Sequence, residues 1–146
     1  MREILFRGKR WESECGKLAP AIWLEGSLYY DPVLKRTFII VYDKHAYIPG
    51  LGNMGAFHAH AVTPETVGQY TGLTDKNGKK IFEGDIIYGY LDNGVRKEAG
   101  VVVFDDGCWE VHNHVGRWLA DLYDVNKPEV IGNIHDNPEL MKGGAS

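Results

Sequence analysis

Cysteine is scarce in this chain. Cys15 and Cys108 are the only two in 146 residues, and neither lies in a Cys-x-x-Cys. That removes a disulfide scaffold, a thiol-redox motif and a zinc ribbon, and a cytosolic chain of this kind keeps both thiols reduced. Long apolar runs are also lacking, since none approaches the roughly 20 residues that a membrane span needs. Arg2, Glu3 and Arg7 interrupt the apolar start Ile4-Leu5-Phe6, so no secretory leader is read and a cytoplasmic location is expected. There are no internal repeats and no low-complexity tract. What is present is a composition of 44% hydrophobic and 12% aromatic residues. At this length it suits one globular domain or two small lobes sharing a core.

Charge divides unevenly. Residues 1–80 carry 11 Lys/Arg against 8 Asp/Glu, whereas residues 81–135 carry 4 against 10. The basic start rests on Arg2, Arg7, Lys9 and Arg10. The acidic second half repels a phosphate backbone, because nucleic-acid affinity is largely charge neutralisation.

Strand and turn signals dominate. Ile22–Tyr30 and Thr37–Tyr42 are β-prone and read as a hairpin about Asp31–Lys35. The unbroken apolar run Phe38-Ile39-Ile40-Val41-Tyr42 implies burial on both faces or at an interface. Pro49–Gly55 reads as a mobile, irregular loop. Thr63-Pro64-Glu65 reads as a cap, a proline at the first position and an acid, opening a single helical turn. Further on, Lys76-Asn77-Gly78, Asp92-Asn93-Gly94 and Asp105-Asp106-Gly107 are turn signals between apolar strands at Tyr70–Gly72, Asp85–Leu91, Val95–Phe104, Cys108–His112 and Val130–Ile134. Five short strands with tight turns imply a small SH3-like barrel. Asn137-Pro138-Glu139 starts a short terminal helix. Residues 142–146 read as frayed.

The run VGQYTGLTDKNGKKIFEGDII at residues 67–87, the opening MREILFRGKR, Trp23-Leu24-Glu25-Gly26 and the closing EVIGNIHDNPELM at residues 129–141 carry a family resemblance. Together, and in this order, they resemble the YopX family of small phage and prophage proteins. Tyr42–Val62 is the main departure. The resemblance implies a β-rich fold, a phage or mobile-element origin and self-association. It brings no catalytic residues with it.

The candidates for chemistry are few. His-x-His occurs at His58/His60 and at His112/His114, and alternate residues of a strand share a face, so each pair can offer two imidazoles to a metal. Asp105, Asp106 and Glu110 are possible oxygen donors. Two-residue spacing is common by chance, and the bland reading is of surface histidines. Trp11, Trp23, Trp109 and Trp118 can stack bases, but a small barrel also needs aromatics for its core or an interface. Trp118, beside Arg117 in what reads as a loop, is the best exposed anchor. Gly50-x-Gly52-x-x-Gly55 matches a dinucleotide fingerprint by letter and lacks the strand–helix context that gives it meaning. Met54 and Phe57 make that region a contact surface instead.

The expected protein is therefore mainly β: an N-terminal β lobe at 1–67, possibly the oligomerisation region, an SH3-like barrel at 68–136, and a short helical turn with a tail at 137–146. It is expected to be non-enzymatic, without a cofactor, and to bind itself and a host or phage protein through Phe38, Ile40, Tyr42, Met54, Phe57 and Trp118. One alternative is a nucleic-acid accessory protein using Arg2, Arg7, Lys9, Arg10, Lys79 and Lys80. Another is a metal-dependent enzyme using the paired histidines. Binding to nucleic acid is not expected, and binding to a membrane is excluded.

Overall fold

The computed structural model describes residues 2–10, 13–14, 17–18 and 22–142, with backbone alone at 13–14 and 17–18. Trp11 and Cys15, and residues 143–146 of the tail, lie outside the described residues. The chain is mainly β, and its only helical segments among the described residues are short 3-10 turns. It forms two compact units that divide between Gln69 and Tyr70.

The first unit begins with β1 (Phe6–Lys9) and the small ladder β2 (Ser13–Glu14) and β3 (Lys17–Leu18). It continues with β4 (Trp23–Asp31), β5 (Arg36–Asp43), β6 (Tyr47–Ile48), β7 (Gly52–Asn53) and β8 (Ala56–Ala61). Strand β1 lies between β4 and the start of β9 (Gly68–Thr74), β4 pairs with β5, and β5 pairs with β8, all antiparallel. Two hydrogen bonds shape the β4–β5 turn, where Asp31 Oδ1 accepts from the N–H of Val33 at 2.8 Å and of Leu34 at 3.0 Å. Gly26 explains the Trp-x-x-Gly element physically. A Cβ there would run into the backbone carbonyl of Ile40 on the facing strand, so the close approach of β4 and β5 requires glycine.

Two expectations for this unit change. The glycine-rich segment is not wholly irregular: β6 and β7 pair as a tight hairpin, with Leu51 N–H donating to Ile48 O at 2.9 Å. Its glycines bend the chain rather than interrupt it. Pro64–Thr66 is a single 3-10 turn, but Thr63 makes no side-chain cap. Thr66 Oγ1 instead donates to Thr63 O at 2.6 Å and accepts from Lys9 N–H at 2.9 Å, tying the turn to β1.

The second unit holds the rest of β9, which pairs with β10 (Lys80–Phe82), and a five-stranded antiparallel sheet. That sheet contains β11 (Asp85–Leu91), β12 (Arg96–Asp105), β13 (Cys108–His112), β14 (Trp118–Asp121) and β15 (Asn126–Asn133), in the order β14-β13-β12-β11-β15. Asp106 and Gly107 adopt φ of 51° and 79°, which makes a tight turn that sets Asp105 opposite Cys108. Strand β14 was not expected, and Tyr70–Gly72 belongs to β9 rather than to the five-stranded sheet. Ile81, Ile87, Leu91, Val102, Val111, Ala120, Leu122 and Val125 form the core of this unit. Asp75 organises the turn before β10. Its Oδ1 accepts from the N–H of Asn77 at 2.8 Å and of Lys79 at 2.9 Å, and its Oδ2 accepts from Val130 N–H at 3.1 Å. Pro138–Leu140 is a 3-10 turn.

Candidate functional site

Two surfaces gather candidate residues, one on each unit. On the first, alternation along β5 puts Phe38, Ile40 and Tyr42 on one face. The register β5–β8 places Ala61, Ala59 and Phe57 directly beside them, and β4 adds Tyr29 next to Phe38. The Tyr42 and Phe57 rings lie 5.1 Å apart between centroids in a tilted pair, and the Tyr29 ring lies 6.4 Å from that of Phe38. This face is open: Tyr29 is 46% exposed, Tyr42 55% and Phe57 74%. The opposite face of β5 carries Ile39, which is fully buried. The apolar run thus has one fully buried residue, Ile39, half-buried neighbours in Phe38, Ile40 and Val41, and an exposed end at Tyr42. The outer strand β8 carries no lysine or proline, two devices that commonly protect a sheet edge. Met54, also exposed, lies in the stretch between β7 and β8.

His58 and His60 sit on the other face of β8, with ring centroids 6.4 Å apart, and His58 Nε2 lies 3.9 Å from Asp43 Oδ2. The second pair does not share a strand. His112 ends β13, whereas His114 lies in the following turn, so the same-face rule does not apply there.

The basic candidates are dispersed. Arg7 is buried, and its guanidinium lies over the Trp23 ring at 4.7 Å. Lys9 and Arg10 are half-buried, and Arg2 is exposed. In the second unit Lys79 is exposed, and Lys80 Nζ stands 5.7 Å from the Tyr70 ring centroid.

The second surface lies on the five-stranded sheet. Strand β13 reads Cys108-Trp109-Glu110-Val111-His112. Alternation sends Val111 into the core and Trp109 against it, leaving Cys108, Glu110 and His112 on the outer face. The register brings Asp105 opposite Cys108 and Asp121 opposite Glu110. Glu110 is the centre: its Oε1 contacts His112 Nε2 at 2.9 Å, and its Oε2 accepts from the Cys108 thiol at 3.6 Å. The donor atoms of Asp105, Glu110 and His112 all lie within 4.8 Å of one another, as do those of Cys108, Glu110 and Asp121. Partial loss of solvation, then the carboxylates of Glu110, Asp121 and Asp106, push the Cys108 thiol above its ordinary value, which makes it a poor nucleophile. The alternating Cys-x-Glu-x-His was legible as soon as residues 108–112 were read as a strand. Asp121 was not, because it needs β14.

Trp118 opens β14 rather than lying in a loop, and it is 59% exposed. Its indole N–H donates to Asp121 Oδ1 at 3.1 Å. It borders a depression of about 320 Å³ that also meets Asp92, Asp121 and Asp124.

These β-rich units, with their turn-defined strands, place the chain among small β proteins. It belongs to the YopX family: the family's sequence model, described as YopX protein, matches residues 26–142. It is similar in fold to the crystal structure of protein EF1440 from Enterococcus faecalis, with a TM-score of 0.53 and 23% identity over 97% of this chain and 100% of that one. No curated protein matches it. Among the described residues, no helix is long and apolar enough to cross a membrane.

Proposed function

We propose that the chain is a non-enzymatic phage or prophage protein of the host cytoplasm that associates with itself through the open β5–β8 face. Its second unit acts as an SH3-like barrel that engages a protein partner. The observation that carries this reading is the apolar face of Tyr29, Phe38, Ile40, Tyr42 and Phe57, on which Tyr29, Tyr42 and Phe57 are exposed, beside an outer strand that carries no lysine or proline. Two copies related by a twofold axis would cover the same patch on each other, which is how isologous dimers form. Aromatic anchors supply most of the energy in such contacts. Trp118, ringed by Asp92, Asp121 and Asp124, suits a basic segment of the protein partner.

The test is sedimentation equilibrium at micromolar concentrations. The expected result is a dimer or larger assembly, with Phe57→Glu weakening association about tenfold or more. A native chain that stays monomeric, or a Phe57→Glu variant that associates unchanged, overturns the reading.

The nucleic-acid alternative asks for one basic face. Arg7 is buried, and the remaining candidates are divided between the two units. Fluorescence anisotropy at low salt is expected to show no micromolar binding to single- or double-stranded DNA. Binding that falls steeply with added salt would restore that alternative.

A further inference from the structure

We propose that the outer face of β12, β13 and β14 binds a divalent transition-metal ion of the zinc class. Glu110 is the central ligand, with His112 and Asp105 completing the donor set. The inference does not depend on self-association. It rests on an arrangement that spacing of histidines alone does not reveal.

The first support is geometric. The donor atoms of Asp105, Glu110 and His112 lie within 4.8 Å of one another. Around zinc, ligand atoms about 2.1 Å from the ion in tetrahedral geometry stand about 3.4 Å apart. The backbone beneath is fixed, because Val103 pairs with Glu110 and Val101 with His112 in the ladder. The side chains of His112 and Glu110 are only 14% and 13% exposed, so little rotamer freedom is left to lose on binding.

The second support is the chemistry of the set. It is not a group of carboxylates: an imidazole is built into it, and a thiol and Asp121 stand on the other side of the same Glu110. Oxygen-only sites suit magnesium and calcium, whereas an imidazole with carboxylates suits zinc and its neighbours. His112 Nε2 and the Cys108 thiol both point at Glu110. A cation can replace the contact from His112, taking the Nε2 lone pair while the imidazole carries its proton on Nδ1.

Calorimetric titration of zinc into the tag-free, reduced, full-length chain tests the proposal, with magnesium as the comparison and circular dichroism as the folding check. Zinc is expected to bind saturably with at least one site, magnesium at least a hundredfold more weakly. His112→Ala and Glu110→Gln are each expected to weaken zinc at least tenfold, while His58→Ala with His60→Ala leaves it unchanged. Cys108→Ser is expected to weaken it less than His112→Ala does. Should His112→Ala misfold, His112→Gln keeps the bulk and carries the same expectation. The proposal fails if zinc does not bind, if magnesium binds equally well, or if the loss follows His58 and His60 instead of His112.

Discussion

Both units expose some large apolar side chains, Phe104, Trp118 and Tyr123 among them in the second, but they differ in how many they bury. In the second, Ile81, Ile86, Ile87, Leu91, Val102, Val111, Leu122 and Val125 are buried within one chain. In the first, the buried apolar side chains among the described residues are Ile39, Ala61 and Val62, while Tyr29, Tyr30, Tyr42, Leu51, Met54 and Phe57 stand exposed. Both stretches look equally hydrophobic as sequence. The difference lies in what covers them. A five-stranded sheet with short strands and tight turns curls its inner face into a core. The β4–β5–β8 layer buries Ile39 on one face and Ala61 on the other, and exposes Leu28 on the first and Tyr29, Tyr42 and Phe57 on the second. The exposed aromatics of the first unit are what the proposed self-association would cover, since monomeric proteins rarely expose large contiguous apolar patches.

The largest effect should come from breaking the better-packed side. Ile87 is 1% exposed in the middle of β11. Ile87→Ala removes packing on every side and should cost about 2–5 kcal/mol, read as a lower urea midpoint for the second unit.

Gly26→Ala probes the thinner side. The new Cβ meets the Ile40 carbonyl, and backbone cannot give way as a flexible side chain would. The expected loss is about 1–3 kcal/mol. Native-state hydrogen exchange should show it as faster exchange in β4 and β5 with β11 and β12 unchanged. Equal loosening of both units would mean that they unfold as one, and the contrast drawn above would not describe their stability.

Asp75 sharpens the comparison through pH. Burial acts to raise its carboxyl, but backbone N–H groups of Val130, Lys79 and Asn77, helped by the Lys79 charge, outweigh it and hold the group below its ordinary value. Because the folded value is the lower one, the stabilisation is complete at neutral pH. It starts to fade as pH drops through the unfolded-state value of about 4 and is lost as pH falls through the folded value. Asp75→Ala should cost about 1–2 kcal/mol at neutral pH and flatten the acid limb of the stability curve. The loss should appear in the second unit.

Much of the second unit was legible because its turns are chemically specific. Asp105-Asp106-Gly107 admits positive φ where a two-residue turn needs it, and the strand Cys108–His112 follows with the expected bounds. Strand β14 was hidden: its four residues Trp118–Asp121 follow a turn of His114-Val115-Gly116-Arg117, and pairing with β13 rather than local propensity makes them a strand. The metal-type donors were named from the sequence, but their grouping was hidden for the same reason. Histidine spacing drew attention to His112 with His114, whereas the ladder joins His112 to Glu110 and Asp105 across two strands. In the first unit the apolar run at Phe38–Tyr42 announced an interface or a doubly buried strand. Composition alone could not choose between them, because both need the same residues.

The smallest effect on folding should fall where the effect on assembly is large. Phe57 is 74% exposed, and its ring lies 5.1 Å from the Tyr42 ring. Phe57→Ser removes little buried area from a single chain, so the change in monomer stability should stay within about 0.5 kcal/mol. If the open face joins two copies, the same substitution removes an anchor from the centre of the contact, where truncations are most costly. The pair of measurements therefore separates two roles for one side chain. A variant with an unchanged urea midpoint at high dilution and a lower apparent assembly size in sedimentation is the expected outcome. A large loss of stability in the dilute monomer would show instead that the aromatic face supports the fold of its own unit. The contrast between a self-sufficient second unit and a first unit completed by a partner would then be wrong.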